Sequence, residues 1–213
     1  MKRTIFWTVF LVILALIVWG LATAMNKTPK TSEHANPAAV TSSDHILGTT
    51  TAPVTLIEYG DFQCPACKTY FPYVERLMNE SSTTLRLVFR HFPLAQHANA
   101  VPAALASEAA GLQGKFWEMY RLLYENQAEW SEVSDSASIF EKYALQIGLD
   151  VAKFKVDLKN SLLVDHVNSD RDEGAKIGIN ATPSFFINDK FVQPQSYESF
   201  KALIDAAATA SAK

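Results

Sequence analysis

Residues 58–68 read EYGDFQCPACK and contain both cysteines of the 213-residue chain, three positions apart. The preceding run Val54–Tyr59 is mostly apolar and β-prone, which predicts a strand. After Pro65, apolar residues recur at helical spacing. Proline is favoured at the first position of a helix, because its missing N–H would have no partner there. The pattern therefore predicts a strand followed by a helix whose first turn carries Cys64 and Cys67.

Cys64 falls at the N-cap of this predicted helix. Unpaired backbone N–H groups and the positive end of the helix dipole stabilise a thiolate at that position. The thiolate is the species that attacks disulfides. Cys67 lies one turn further into the helix, close enough to form a disulfide with Cys64. We therefore expect Cys64 to be the nucleophile and Cys67 the resolving thiol of a dithiol–disulfide exchange.

The sequence also allows three other uses of the two cysteines. A purely structural disulfide is disfavoured, because so small a ring stabilises a fold by only about 2 kcal/mol, against about 4.7 kcal/mol for a 100-residue loop. Cys64 and Cys67 with His91 and His97 offer the C-x2-C and H-x5-H halves of a zinc site. The gap between the halves is longer than in a zinc finger. An inert thiol pair is the third alternative.

The N-terminus carries the second strong signal. Lys2 and Arg3 precede Ile5–Ala22, a charge-free segment of 18 residues that as a helix would span about 27 Å, close to the roughly 30 Å of a bilayer core. We expect a membrane anchor within residues 1–24. The alternative is a signal segment cleaved at the A-x-A site 22–24, which would release a secreted protein. Disulfide chemistry places the remaining chain outside the cytoplasm, at the cell surface or in the periplasm.

The rest of the chain divides into a linker and one domain. Residues 25–45 are rich in Thr, Ser, Pro, Ala and Asn and lack a hydrophobic period, which is typical of a flexible linker. Residues 46–213 are enough for a single domain with its own core. The formal net charge is −3 and no basic run occurs, so the sequence offers no surface for nucleic acid.

The order of elements in the domain points to an α/β sheet with an insertion. After the cysteine helix, Leu85–Arg90 is apolar and reads as a strand. From about 97 to 177 the pattern is helical throughout, and Asp150 is the expected N-cap of one of these helices. Residues 184–192 predict a hairpin with its turn at Asn188 and Asp189, and a final helix follows.

Three separated motifs carry a family resemblance. Residues 52–67 read APVTLIEYGDFQCPAC, residues 92–94 read FPL and residues 178–188 read GINATPSFFIN. Over essentially all of 46–213 the sequence resembles the DsbA-like thioredoxin-fold thiol–disulfide oxidoreductases of the membrane-anchored bacterial type. The resemblance implies an α/β thioredoxin fold with a helical insertion at about 97–177, preceded by a transmembrane helix and a flexible linker.

The resemblance also assigns site residues. Pro183 matches the family's cis proline that faces the cysteines, and Thr182 before it would pair through its backbone with an extended substrate. Glu58 matches a buried acid that accepts the proton of Cys67. Without the family pattern, Thr182-Pro183 would be read as an ordinary turn before a strand. A carboxylate in so apolar a strand must be paired or protonated if it is buried, and the alternative for Glu58 is an edge-strand residue paired with Lys or Arg. Asp61 is expected to be a solvated loop charge.

For function, the resemblance implies disulfide exchange, with oxidation favoured, in unfolded or partly folded extracytoplasmic proteins that contain cysteine. The expected redox partner is a membrane quinone reductase of the DsbB-like or vitamin K epoxide reductase-like kind, and no metal or organic cofactor is required. Strong oxidants of the family often carry His where this chain has Ala66, which predicts a less oxidising potential. Reductase or isomerase activity remains open, as does a non-catalytic membrane-tethered binding module or chaperone.

Overall fold

The computed structural model describes residues 34–211. The membrane anchor or signal segment expected within residues 1–24, and the first part of the linker expected over 25–45, lie outside the described residues. Between residues 34 and 211, no helix combines the length and the apolar composition that crossing a bilayer would need.

The described strands and helices alternate along the chain, with most of the helices between the third and fourth strands. The strands are β1 (His45–Gly48), β2 (Val54–Gly60), β3 (Leu85–His91), β4 (Ser184–Ile187) and β5 (Lys190–Val192). The helices are α1 (Pro65–Glu80), α2 (Ala100–Gly111), α3 (Phe116–Glu125), α4 (Gln127–Trp130), α5 (Ala137–Gln146), α6 (Val151–Asp157), α7 (Ser161–Lys176) and α8 (Tyr197–Ser211).

The five strands form one sheet in the order β1-β3-β2-β4-β5. β2 and β3 are parallel and joined through α1, whereas the other neighbouring strands are antiparallel. β2 is central, and all but one of its residues are buried, in keeping with its apolar sequence. The predicted hairpin is confirmed, because Asn188 and Asp189 have φ angles of 45° and 67°, as a type I′ turn requires. The segment that carries the two cysteines therefore leaves the middle of the sheet.

The helices α2 to α7 lie between β3 and β4 in the sequence, which confirms the α/β fold with a helical insertion. Their core is built from large buried aromatic side chains, among them Tyr120, Tyr124 and Trp130. The same cluster includes Cys64 and Cys67, so the helical insertion packs directly over the cysteine helix. Asp150 caps α6 by accepting a hydrogen bond from the Lys153 N–H at 2.9 Å, as expected.

The packed region begins earlier than the sequence predicts. Strand β1 was not expected, and residues 34–44, which the sequence assigns to the linker, contact the domain through Arg90. The Arg90 guanidinium donates to Asp44 at 2.8 Å and to the Ala38 carbonyl at 3.0 Å. Arg90 is only 4% exposed, and a buried guanidinium needs such partners. The linker predicted over 25–45 is therefore too long at its C-terminal end.

Candidate functional site

Cys64 occupies the junction between the central strand and the first helix. It is the N-cap residue of α1, with extended backbone angles, and Pro65 takes the first helical position. No side chain caps this end of the helix. The free N–H groups of the first turn are therefore available to the Cys64 sulfur, as the sequence predicts. Cys67 lies one turn on, and the structure holds both cysteines as free thiols.

The pKa of the Cys64 thiol is lowered to about 5. The main cause is a hydrogen bond from the Cys67 side chain, and burial acts in the opposite direction. The Thr182 side chain and the backbone N–H groups of Cys67 and Ala66 lower the pKa further. The thiol of an unperturbed Cys has a pKa of about 8.5 in peptides. With its pKa lowered to about 5, Cys64 is predominantly a thiolate at pH 7.

The pKa of the Cys67 thiol is shifted in the opposite direction. Its side chain is fully buried, and burial raises its pKa well above the usual value. The hydrogen bond to Cys64 and the charges of Glu58 and Cys64 raise it further, while the Asp61 N–H opposes them. The two thiols thus differ mainly in charge, with an anion favoured at Cys64, which is 6% exposed, and a protonated group at Cys67, which is 0% exposed.

The segment before β4 faces the cysteines. The Thr182-Pro183 peptide bond is cis, and the Cys64 thiol donates to the Thr182 carbonyl at 3.4 Å. The Thr182 hydroxyl is buried and has no other hydrogen-bond partner among the described residues. The structure therefore brings Thr182, Pro183 and Cys64 together, although they are far apart in the sequence.

Glu58 lies in the central strand and is 1% exposed. One carboxyl oxygen accepts a hydrogen bond from the Tyr120 hydroxyl at 3.4 Å, and the other has no partner among the described residues. Burial raises the pKa of Glu58 to about 8; the Tyr120 hydrogen bond lowers it, and the Cys64 charge raises it. No Lys or Arg among residues 34–211 pairs with it, so the alternative of an edge-strand ion pair is wrong, and a pKa of about 8 keeps Glu58 mostly protonated at neutral pH.

Asp61 is buried, so the expectation of a solvated loop charge is wrong. It is 2% exposed and accepts hydrogen bonds from the backbone N–H groups of Gln63 at 2.8 Å and Leu94 at 3.0 Å. The ring nitrogen Nδ1 of His97 lies 2.6 Å from the same carboxylate. Three hydrogen bonds offset the cost of burying the charge. Asp61 therefore fixes the loop that precedes Cys64 to the segment after β3.

The zinc site considered from the sequence does not assemble among residues 34–211. His97 contacts Asp61, and His91 contacts Glu108 with its Nε2 atom at 2.8 Å. Neither histidine joins the two cysteines in a group of potential metal ligands. The histidines that the sequence spacing suggested as ligands belong to other parts of the structure.

The sequence did not reveal the amide side chains that hold the cysteine loop. Gln127 donates to the carbonyls of Phe62 at 2.7 Å and Cys64 at 3.1 Å. Gln63 accepts a hydrogen bond from the Asn99 N–H at 2.6 Å. A single Gln or Asn within a helical pattern gives no signal of such a contact, because its partner is a backbone carbonyl distant in sequence.

Comparison with protein families and solved structures gives a consistent result. A family model described as thioredoxin matches residues 40–206. Oxidised BdbD from Bacillus subtilis superposes with a TM-score of 0.71 at 24% identity, covering 83% of this chain and 97% of that one. Alpha-DsbA1 from Wolbachia pipientis has a TM-score of 0.70 at 22% identity, covering 81% and 94%. At these identities the structural matches establish the shared fold.

Several curated relatives are named as antiporters. A protein named Na(+)/H(+) antiporter NhaA 1 from Mycolicibacterium gilvum is 39% identical over 152 residues, which is 69% of this chain and 24% of that protein. A protein of the same name from Salinispora arenicola is 38% identical over 148 residues and is covered over 22% of its length. The chain thus spans about a quarter of the curated relatives that it matches.

We expect alkylation of the reduced protein by iodoacetamide to follow ionisation of Cys64, with a midpoint near pH 5. Cys67→Ala removes the hydrogen bond that lowers the Cys64 pKa most, so the midpoint should move up by at least one pH unit. Cys67→Ser keeps a donor and should move it less. A wild-type midpoint near the 8.5 of free cysteine would contradict this account.

Glu58 should make stability fall with rising pH. Its pKa is higher in the folded protein than in the unfolded chain, so the proton's contribution is complete below about 4.5 and is lost as pH rises towards 8. With both proteins kept reduced, the stability of Glu58→Gln relative to wild type should rise by about 1.4 kcal/mol per pH unit across this range. The measurement is urea unfolding at several pH values, with exposed Glu125→Gln as control. A Glu58→Gln curve parallel to wild type would show that Glu58 is not buried as an acid.

Proposed function

The chain belongs to the thioredoxin family, and on that basis we propose that it is a thiol–disulfide oxidoreductase that oxidises cysteines of other proteins through Cys64 and Cys67. The observation that carries the proposal is the opposite ionisation of the two thiols at the start of α1. A structural disulfide or an inert pair does not require one thiol to be an anion and its neighbour to be a protonated group.

The reaction begins with the Cys64–Cys67 disulfide. A substrate thiolate attacks the Cys64 sulfur, the bond between Cys64 and Cys67 breaks, and a mixed disulfide forms between the substrate and Cys64. A second substrate thiolate then attacks the substrate sulfur of the mixed disulfide and releases Cys64 as a thiolate. The substrate loses two electrons and gains a disulfide, and the enzyme becomes a dithiol. The low pKa of Cys64 favours the last step, because a more acidic thiol leaves faster.

Glu58 would handle the proton of Cys67. When Cys67 leaves in the first step it carries a negative charge in a fully buried position, which is costly. Glu58 is protonated near pH 7 because its pKa is about 8, so it can supply the proton that neutralises Cys67. During reoxidation the same carboxylate accepts the proton when Cys67 becomes the attacking thiolate. The transfer thereby places the negative charge on the Glu58 carboxylate, whose pKa is lower than that of the buried Cys67 thiol.

The surface beside Pro183 suits an extended polypeptide. A cavity of about 230 Å³ adjoins it, lined by Tyr70, Phe185 and Val192 together with the polar side chains of Gln193 and Gln195. The backbone of Thr182 next to Cys64 offers hydrogen bonds to a substrate strand, in the manner of β-augmentation. We expect little sequence preference in the substrate, as befits unfolded or partly folded proteins that contain cysteine.

The proposed location of the domain is outside the cytoplasm. A chain anchored through residues 1–24 would hold the domain outside the cytoplasm, where protein disulfides persist. A membrane quinone reductase of the DsbB-like or vitamin K epoxide reductase-like kind would return Cys64 and Cys67 to the disulfide by accepting two electrons.

Oxidative refolding of a reduced, unfolded substrate protein tests the activity. The disulfide form should restore substrate activity in stoichiometric amounts, and Cys64→Ser should reduce the rate to the uncatalysed background. Ser131→Ala is the matched control, because its contacts to the site involve only its backbone carbonyl. Full activity in Cys64→Ser would remove the assigned nucleophile and favour a binding module or chaperone.

The reduction potential tests the direction of the reaction. The Cys64 pKa of about 5 lies between the approximate values of 3.5 for DsbA and 7 for thioredoxin. We therefore expect a potential between about −120 mV and about −270 mV in a glutathione titration. Ala66→His should raise the potential, because an added donor beside Cys64 stabilises the reduced form. A wild-type potential at or above about −120 mV, or at or below about −270 mV, would contradict this assignment.

A further inference from the structure

Three of the five histidines in the sequence converge on one carboxylate, away from the cysteine pair. The Nε2 atoms of His45 and His91 each lie 2.8 Å from Oε1 of Glu108, and Nε2 of His166 lies 3.7 Å from it. Asp170 is next to the group, with Oδ2 at 4.0 Å from His166 Nε2. None of these five side chains has a role in the proposed redox reaction.

The group joins parts of the fold that are distant in sequence. His45 comes from β1, Glu108 from α2 and His166 from α7, so the sheet edge and two helices of the insertion meet at this point. The His45 ring is held in place by stacking on Phe116, with ring centroids 3.6 Å apart and an interplanar angle of 8°. The Glu108 side chain is 6% exposed, whereas His45 and His166 are 21% and 23% exposed. The carboxylate is therefore at the bottom of the group, and two imidazoles face the outside.

The spacing of the donor atoms suits a small divalent cation. One ligand atom each from His45, Glu108 and His166 lies within 4.8 Å of the others. In a tetrahedral site with metal–nitrogen distances of about 2.0–2.1 Å, ligand atoms are about 3.3 Å apart. The distances of 2.8 and 3.7 Å from Glu108 Oε1 to the two nitrogens fall on either side of that value. The three ligand atoms lie within 4.8 Å of one another, so binding of the ion would draw the side chains together.

The chemistry of the donors selects the kind of ion. Imidazole nitrogen is a ligand for Zn²⁺ and other first-row transition metals, whereas Ca²⁺ and Mg²⁺ take oxygen ligands. Two histidines and one carboxylate would leave the fourth position of a tetrahedral site for water. His91 is almost completely buried and contacts Glu108 from within, which is the arrangement of an outer-shell residue that orients a ligand.

A route from solvent to the group is present. A cavity of about 200 Å³ is lined by His166 and Asp170 together with Asp44, Glu173 and Arg90. The Arg90 guanidinium, the one cation among these lining residues, forms ion pairs with Asp44 at 2.8 Å and Glu173 at 3.6 Å. These two carboxylates offset the positive charge that Arg90 brings to the cavity.

We propose that His45, Glu108 and His166 bind a first-row divalent cation, represented by Zn²⁺, which links β1 to helices α2 and α7. Without the ion, Glu108 Oε1 accepts hydrogen bonds from His45 and His91 at 2.8 Å each, and His166 lies 3.7 Å away. The ion would tie the N-terminal edge of the sheet to the helical insertion. It would bind the folded protein only, and so stabilise it by mass action.

Isothermal titration of the untagged chain with ZnCl₂ tests the proposal. The protein is stripped with chelator and used with the Cys64–Cys67 disulfide formed, so that the thiols cannot bind zinc. We expect one equivalent of Zn²⁺ and a rise in Tm of several degrees. His166→Ala should weaken binding at least tenfold and remove the rise in Tm, and His34→Ala, which removes a histidine outside the group, should leave both unchanged.

The His166 variants distinguish zinc binding at this site from zinc binding elsewhere on the protein. His166 is partly exposed, so its substitution leaves the core intact; should His166→Ala fail to fold, His166→Gln provides the same test with a side chain of similar size. Absence of zinc binding by the wild type would overturn the proposal. Equal binding by wild type and the His166 variant would also do so. Ca²⁺ binding as tight as Zn²⁺ binding would contradict the assignment to nitrogen ligands.

Discussion

The hydrogen bond from Cys67 to the Cys64 sulfur is the interaction on which the proposed chemistry depends. It is the largest cause of the low pKa of Cys64, and it also keeps the proton on Cys67. The bond exists because a strand ends at Gly60 and a helix begins at Pro65, which puts two thiols one turn apart at the open end of a helix. The sulfur nearer the surface takes the charge, since the helix N–H groups stabilise it there, and the deeper sulfur stays neutral because burial disfavours its anion.

The helical insertion makes this arrangement rigid. Gln127 holds the carbonyl of the N-cap residue, and Asn99 and Ser131 engage Gln63 in the loop before it. Tyr120 donates the only hydrogen bond that the Glu58 carboxyl group receives from residues 34–211. Gln127 and Tyr120 lie within helices of the insertion, and Asn99 and Ser131 lie at the ends of such helices. The insertion thus covers the cysteine helix and also supplies the polar contacts that hold it. For this reason the two thiols lie in the same core cluster as the buried aromatic residues.

Several features of the fold and of the candidate site could be predicted from local sequence patterns. The strand before Gly60, the N-cap position of Cys64 and the turn at Asn188 each follow from residues adjacent in sequence. The rest depends on contacts between distant residues. Strand β1 is only four residues long, and its sequence HILG carries no clear alternation, so its pairing with β3 decides its conformation. Asp61 resembles any loop carboxylate until the segment after β3 brings its donors. The approach of Thr182 to Cys64 could be expected only from the family resemblance.

The central claim is that the two thiols are unequal, and trapping of a mixed disulfide tests it most directly. Each reduced single-cysteine variant, Cys67→Ala and Cys64→Ala, is mixed at pH 6 with a peptide that contains a disulfide, and the adduct is measured by mass spectrometry. We expect faster adduct formation through Cys64 in the first variant than through the buried Cys67 in the second, although Cys67→Ala also removes the hydrogen bond that lowers the Cys64 pKa most. Equal rates in the two variants, or faster reaction through Cys67, would contradict it.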